Sequence, residues 1–347
     1  MKRRNFFSLT LVFFSSLLLT ISCNQAPQQT PNASSSLSNT APIVIGYSNW
    51  AGWWPWAIAE EEGLFAKNGA NVQMKWFDGY LESLQALAAG QLDGNSQTLN
   101  DTIAFAGDAV NGQVAVLVND NSSGNDKIIV TEEIKTIQDL KGKKVAVEEG
   151  VVGDFLLSLA LEKEGMSRKD VQIVPMETGA AAAAFASGKV DAVAAFPPFW
   201  STALKRKGSQ ELISSKAFPG AIPDLLVVSA KLIKEKPEQV QALVKTWFDV
   251  REFMTKNPQK ADEIMAKRAG ISPEELALYK EGTKFFTLEE NLEAFSPGKT
   301  MKNMPFAAQK MADFMMEVGF IKKVPDLTTI LDSQFVKSLA NQDKKPN

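Results

Sequence analysis

Short β-type runs alternate with helical patterns along most of this chain, and that alternation restricts the fold more than any other feature. Candidate strands fall at 43–47, 72–77, 94–98, 114–119, 127–131, 145–148, 171–176, 191–196 and 225–229. Helical patterns at about 54–68, 79–90, 101–110, 152–165 and 178–188 lie between many of them. A parallel neighbour needs a long crossover, so this order predicts an α/β fold with largely parallel sheets. After about residue 232 the pattern turns almost purely helical, at 236–256, 258–268, 273–282 and 304–318. These helices are expected to pack back on the first half.

A weak internal echo suggests two similar lobes. Ala88-Ala89-Gly90-Gln91-Leu92-Asp93-Gly94 ends a helix and opens a strand, and Ala186-Ser187-Gly188-Lys189-Val190-Asp191-Ala192 does the same later. In each, Gly suits the left-handed conformation that closes a helix. Lobe 1 is expected over 43–133 and lobe 2 over 134–226. The stretch 227–340 would return to lobe 1 and add the C-terminal helices.

The start of the chain reads as targeting. Lys2, Arg3 and Arg4 precede an apolar run from Phe6 to about Ile21, the pattern of a secretory leader over 1–22. Cys23 is the chain's one cysteine and follows Ser22 at the end of that run. It resembles the lipidated first residue of bacterial lipoproteins, although Thr20 stands where Leu is usual. Residues 23–42 are rich in Asn, Gln, Ser, Thr and Pro. Such a composition buries too little apolar surface to fold and reads as a tether.

The chain has no histidine, and its formal net charge is −3. Ser-His-Asp and Cys-His catalysis and His-held metals are thereby excluded, so an enzyme is not expected. No cofactor or metal is expected either. No basic surplus suggests a nucleic acid. The run Glu60-Glu61-Glu62 reads as a solvated helix face.

Ligands of open α/β sheets bind beyond the carboxyl ends of the strands. The loops there, at 48–54, 78–80, 99–101, 120–126, 148–154, 177–178 and 197–200, hold Asp78, Asp101, Asp120, Asp126, Glu148, Glu149, Asp154 and Glu177, with no Lys or Arg. A sulfonate or carboxylate would be expected to meet at least one basic side chain, although helix N-termini alone can hold an anion. Four tryptophans crowd residues 47–56, YSNWAGWWPW. Carboxylates beside indole faces suit a small cation, and a planar guanidinium could both stack and pair. The candidate ligand-binding residues are Asn49, Trp50, Trp53, Trp54, Asp78, Asp101, Glu148 and Phe196. Trp53 and Trp54 are adjacent and point to different sides, so one of them is expected to pack, as is Trp56. Glu148 and Glu149 alternate in the same way. Asp101 and Asp78 also suit the start of a helix, and Asp154 reads as a capping residue.

The chain resembles the periplasmic solute-binding proteins of ABC importers, in the branch of taurine, sulfonate and nitrate binders. The resemblance rests on Ile45-Gly46-Tyr47-Ser48, Glu62-Gly63-Leu64-Phe65, Leu87-Ala88-Ala89-Gly90-Gln91-Leu92-Asp93, Asp139-Leu140-Lys141-Gly142-Lys143-Lys144-Val145-Ala146-Val147 and Pro198-Phe199. It implies a two-lobed, type II periplasmic-binding-protein fold with two hinge crossings, which would fall near 130–136 and 224–228. Trp54-Pro55-Trp56, Tyr80-Leu81-Glu82-Ser83 and Gly124-Asn125-Asp126 resemble more narrowly the guanidine-associated binding proteins encoded beside urea carboxylase. The implied function is a lipid-anchored extracytoplasmic monomer that delivers a guanidine-like cation to a permease and ATPase. The alternative is a binder of taurine or alkanesulfonate, nitrate or a thiamine pyrimidine precursor.

Overall fold

The computed structural model describes residues 41–343. The leader expected over 1–22, Cys23 and nearly all of the tether lie outside them. Two sheets organise the described chain. The first contains β1 (Ile43–Tyr47), β2 (Val72–Trp76), β3 (Gly94–Thr98), β4 (Val114–Ser122), β10 (Pro223–Val228) and β11 (Thr283–Phe285) in the order β11-β4-β10-β3-β1-β2. The second contains β5 (Lys127–Thr131), β6 (Lys144–Val147), β7 (Gln172–Pro175), β8 (Ala192–Ala195) and β9 (Ser209–Ser214) in the order β7-β6-β8-β5-β9.

The pairing explains the two-lobed architecture. In the first sheet β1 runs parallel to β2 and β3, and in the second β6 runs parallel to β7 and β8. Each set is linked through helices, as the alternation predicts. Strands that follow a crossing between sheets arrive antiparallel: β5 against β8, and β10 between β3 and β4.

The crossings fall at 123–126 and 215–222, earlier than the expected 130–136 and 224–228. β5 pairs wholly within the second sheet, and β10 wholly within the first. Lobe 1 therefore ends before 127 rather than at 133, and lobe 2 ends before 223 rather than at 226. Apolar runs gave the strands but could not show which sheet each joined. β9 and β11 escape the sequence pattern because one is mostly half-buried and the other has only three residues. The helix expected over 54–68 is two, Trp56–Glu61 and Leu64–Lys67, interrupted where Gly63 takes a left-handed φ of 65°.

Glu60, Glu61 and Glu62 are more than a solvated face. They pair with Arg268, Lys267 and Lys260 at 2.6, 3.0 and 2.6 Å. The helix Pro258–Ala269 is thus laid against the first helix of lobe 1. Trp56 packs on Trp247 of the helix Pro237–Lys256, with ring centroids 4.8 Å apart, so the late helices do return to lobe 1.

Candidate functional site

Two central strands carry polar side chains into fully buried positions. All five residues of β3, Gly94-Asn95-Ser96-Gln97-Thr98, are buried. So is the last part of β4, Asn119-Asp120-Asn121-Ser122. Burying polar groups is costly unless something pairs them. Much of β3 is satisfied internally: Asn95 Nδ2 donates to Ser83 Oγ at 3.0 Å, and Gln97 Nε2 donates to Thr102 Oγ1 and Gln113 Oε1. The carboxyl end of β4 and the start of β10 are not satisfied in this way, and a cavity opens there.

The cavity is lined by Asn49, Trp50, Trp53, Tyr80, Thr98, Asp126, Val152, Phe196, Ile222 and Asp224. These side chains come from the ends of β1, β3, β8 and β10, the start of two helices, and both crossings between sheets. The space is about 240 Å³, open solvent at its mouth included. A ligand of a few heavy atoms fits such a site better than a large one. Four rings enclose it. Trp50 stands edge-on to Trp53 and Phe196 at 6.4 Å, Trp53 lies 5.5 Å from Tyr80, and Tyr80 lies 6.4 Å from Phe196.

Carboxyl groups supply the floor. Trp50 Nε1 donates to Asp120 Oδ1 at 3.0 Å. Asp224 sits opposite Asp120 across the β4–β10 pair. Among the described residues, Oδ2 of Asp120, Asp126 and Asp224 each lacks a hydrogen-bond donor, as Asn49 Oδ1 and Trp53 Nε1 lack partners. Burial raises the carboxyl pKa of Asp120 and Asp224, and for Asp224 the neighbouring Asp120 charge raises it further. Burial raises Asp126 to about 6, against the opposing pull of Ser122 and Lys127. Gly52 makes the close approach possible, because a Cβ there would lie 1.8 Å from Asp120 Oδ2.

Among the described residues, no Lys or Arg lines the cavity. Lys127 follows Asp126 but pairs with Glu211 and lies 5.1 Å over the Trp200 ring. Arg168 reaches Asp154 and Glu149 at 2.8 and 3.0 Å, outside the lining. Asp154 also accepts from Gly150 N at 3.0 Å from the first turn of its helix, whose N-cap is Val151 and not Asp154.

Of the residues singled out in the sequence, Asn49, Trp50, Trp53 and Phe196 line the cavity. Trp54 does not: it is buried against Tyr279, with centroids 5.9 Å apart. Asp78 is exposed and accepts from Trp76 Nε1 at 2.9 Å, away from the cavity.

Asp101 and Glu148 stand behind the lining. Asp101 Oδ2 accepts from Tyr80 Oη and from Thr98 Oγ1, both at 2.8 Å, and so orients two lining side chains. Burial raises its pKa to about 7, against those hydrogen bonds. Thr98, not Asp101, is the helix N-cap. Glu148, at the end of β6, accepts from Leu81 N at 3.1 Å and from Thr178 Oγ1 at 2.8 Å. The first of these bonds joins lobe 2 to lobe 1.

Tyr80, Asp126, Val152, Ile222 and Asp224 were not among the candidate residues, whereas the Thr98 hydroxyl was expected only for an anionic ligand. Asp126 stood among the acidic loop residues. Asp224 begins an otherwise apolar strand, Pro223-Asp224-Leu225-Leu226-Val227-Val228, and a lone acid there was a usable signal.

The model of the NMT1-like family matches residues 37–270. A binding protein of Brucella abortus (strain 2308) is 29% identical over 337 residues, covering 94% of this chain and 96% of its own. A Bacillus subtilis (strain 168) protein named for aliphatic sulfonates is 26% identical over 289 residues, covering 82% and 84%. The crystal structure of the periplasmic nitrate-binding protein of Synechocystis PCC 6803 superposes with a TM-score of 0.72 at 13% identity, covering 89% of this chain and 90% of that one. The two-lobed α/β architecture is therefore that of the periplasmic binding proteins.

Proposed function

The chain belongs to the NMT1-like family, and on that footing we propose that it is the extracytoplasmic solute-binding component of an ABC importer, with a small guanidine-like cation as its ligand. A permease and an ATPase would be its partners, and Cys23 would carry the lipid that holds it at the membrane. It binds its solute and does not transform it.

The observation that carries the cation reading is the charge of the cavity. Asp126 and Asp224 line it and each has a carboxyl oxygen without a donor, Asp120 pairs with Asp224 across the strands, and among the described residues no basic side chain lines it. Leaving buried carboxylates unpaired is costly, and a cation bearing several N–H donors removes that cost. The ring of Trp50, Trp53, Tyr80 and Phe196 adds cation–π attraction of about 0.5–2 kcal/mol in a desolvated site. A planar guanidinium can stack on such rings and pair with a carboxylate through two parallel bonds.

A second reading, an alkanesulfonate, taurine or nitrate ligand, is favoured by the name of the Bacillus subtilis relative. Unpaired Trp53 Nε1 would be a donor for such an anion. Thr98 and Tyr80 hydroxyls also line the cavity, but both already donate to Asp101. The buried acids oppose it unless they are protonated.

Calorimetric titration of the mature chain at neutral pH with guanidinium, taurine and nitrate separates the two readings. Saturable binding of guanidinium with no response to the anions is expected. Tight binding of taurine or nitrate with none of guanidinium overturns the cation reading and leaves the importer role standing.

A further inference from the structure

The floor of the cavity holds three carboxyl groups, Asp120, Asp126 and Asp224, where one balances a monocation, and two of them share a single environment. Asp120 and Asp224 are direct partners across antiparallel strands, so their side chains leave the sheet on the same face. Side chains placed opposite one another this way start only about 4.5–5.5 Å apart at Cβ. Asp120 is 0% and Asp224 2% exposed, and Oδ2 of each finds no donor among the described residues. Two buried carboxyls in direct interaction, with no N–H or O–H between them, cannot both be ionised at neutral pH.

From this geometry we propose that Asp120 and Asp224 share one proton in the unliganded protein and release it to solvent when the cation enters. This inference rests on the cation reading above. The exchange is balanced in charge: one monocation enters the cavity, and one H⁺ leaves the Asp120–Asp224 pair. No covalent bond to the ligand forms or breaks. The pair thereby holds the empty site near the charge it has when filled, and it avoids the cost of an uncompensated buried carboxylate.

The groups around the pair allow this exchange. Asp126 lies on the cavity side and Asp101 beyond Asp224, and both oppose a second negative charge. Arg251, from the helix Pro237–Lys256, acts on Asp120 from behind. It also lies 4.4 Å from the centroid of Phe285 and feels Glu290. Lys284 of β11 is paired with Glu290 at 2.9 Å. Lys127 acts on Asp126 and is paired with Glu211. Glu148 is occupied by Leu81 N and Thr178 Oγ1. Asp120 keeps one ordered donor throughout, Trp50 Nε1. The proton is therefore held by the pair, whose Oδ2 atoms are the carboxyl oxygens left without a donor among the described residues.

Two measurements test the exchange. The first is calorimetric titration of guanidinium into the mature chain at neutral pH, in buffers of different ionisation enthalpy. Close to one proton released per cation bound is expected, with affinity tightening about tenfold per pH unit on the acid side of the transition. The Asp224→Asn variant should bind more weakly and release no proton. Binding by the wild type without proton release overturns the exchange and leaves the cation reading intact. No binding of guanidinium overturns the reading on which the exchange rests, and the exchange with it. The second measurement is the infrared carbonyl band of a protonated carboxyl in the unliganded protein. In an Asp101→Asn background, which removes the contribution of that raised carboxyl, a band at neutral pH that falls on guanidinium binding and is lost in Asp224→Asn is expected, and its absence overturns the shared proton.

Discussion

Replacing Glu148 by alanine isolates the energy that holds the lobes together. Its carboxylate belongs to the second sheet's lobe, and Leu81 N belongs to the other lobe. The bond exists only when the lobes are closed. The Thr178 Oγ1 bond lies within lobe 2 and is present in either state, so it cancels from the closing equilibrium. When the lobes part, water replaces Glu148 at Leu81 N. What remains is one hydrogen bond to a charged acceptor, worth about 1.5–3 kcal/mol. The ligand contacts both lobes only in the closed form, so affinity falls in proportion to the lost closed population, and the full bond energy is the upper limit of that loss. At 1.4 kcal/mol per tenfold, Glu148→Ala should weaken guanidinium binding by at most roughly 10- to 150-fold, mostly through a faster off-rate. Stopped-flow tryptophan fluorescence reads that rate, and small-angle X-ray scattering of the unliganded variant should show a larger radius of gyration. Unchanged off-rate and unchanged radius together would refute the latch, whatever the ligand. Burial raises the pKa of Glu148, against the pull of Thr178 and Leu81 N. The latch should therefore weaken as pH falls.

Three further outcomes are expected. Gly52→Ala places a methyl 1.8 Å from Asp120 Oδ2; overpacking of this kind costs about 1–3 kcal/mol, and a lower denaturation midpoint with lost guanidinium binding is the expected result. Trp50→Phe removes the donor to Asp120 Oδ1 while keeping a ring, and leaving that buried acceptor unmet should cost roughly 1–3 kcal/mol in chemical denaturation. Asp101 and Asp126, raised to about 7 and about 6, bind protons more tightly folded than unfolded. The unliganded protein should therefore lose stability as pH rises from about 4 to about 7, an effect that Asp101→Asn should reduce in a series of melting curves; a rise in melting temperature across that interval would contradict it.

Much of the architecture was legible because it depends on local pattern. Most of the strands show as apolar or β-branched runs, with the polar β3 an exception, and the helices between them set β1, β2 and β3, and β6, β7 and β8, parallel, although the strands added after each crossing make both sheets mixed. The lobe boundaries were not legible, since whether β5 joins the first or second sheet depends on partners distant in sequence. The late helices' return to lobe 1 was legible in outline, but the pairing of Glu60, Glu61 and Glu62 with Arg268, Lys267 and Lys260 was not. Those partners lie some two hundred residues away.

The candidate site divides in the same way. The sequence alone determined that strand-end loops would be acidic and aromatic, and that Trp50 would stand just beyond β1. Tertiary structure decided which acids matter. Asp78 and Asp126 look alike in the sequence, yet one is solvated beside Trp76 and the other is buried with a free oxygen. Trp53 and Trp54 are neighbours, yet backbone geometry turns one to the cavity and the other to Tyr279. Asp120 and Asp224 stand over a hundred residues apart in the chain, and only the register of two antiparallel strands makes them a pair. A carboxyl group's chemistry is written in the sequence, but its charge state is set by what surrounds it, and folding alone supplies those surroundings.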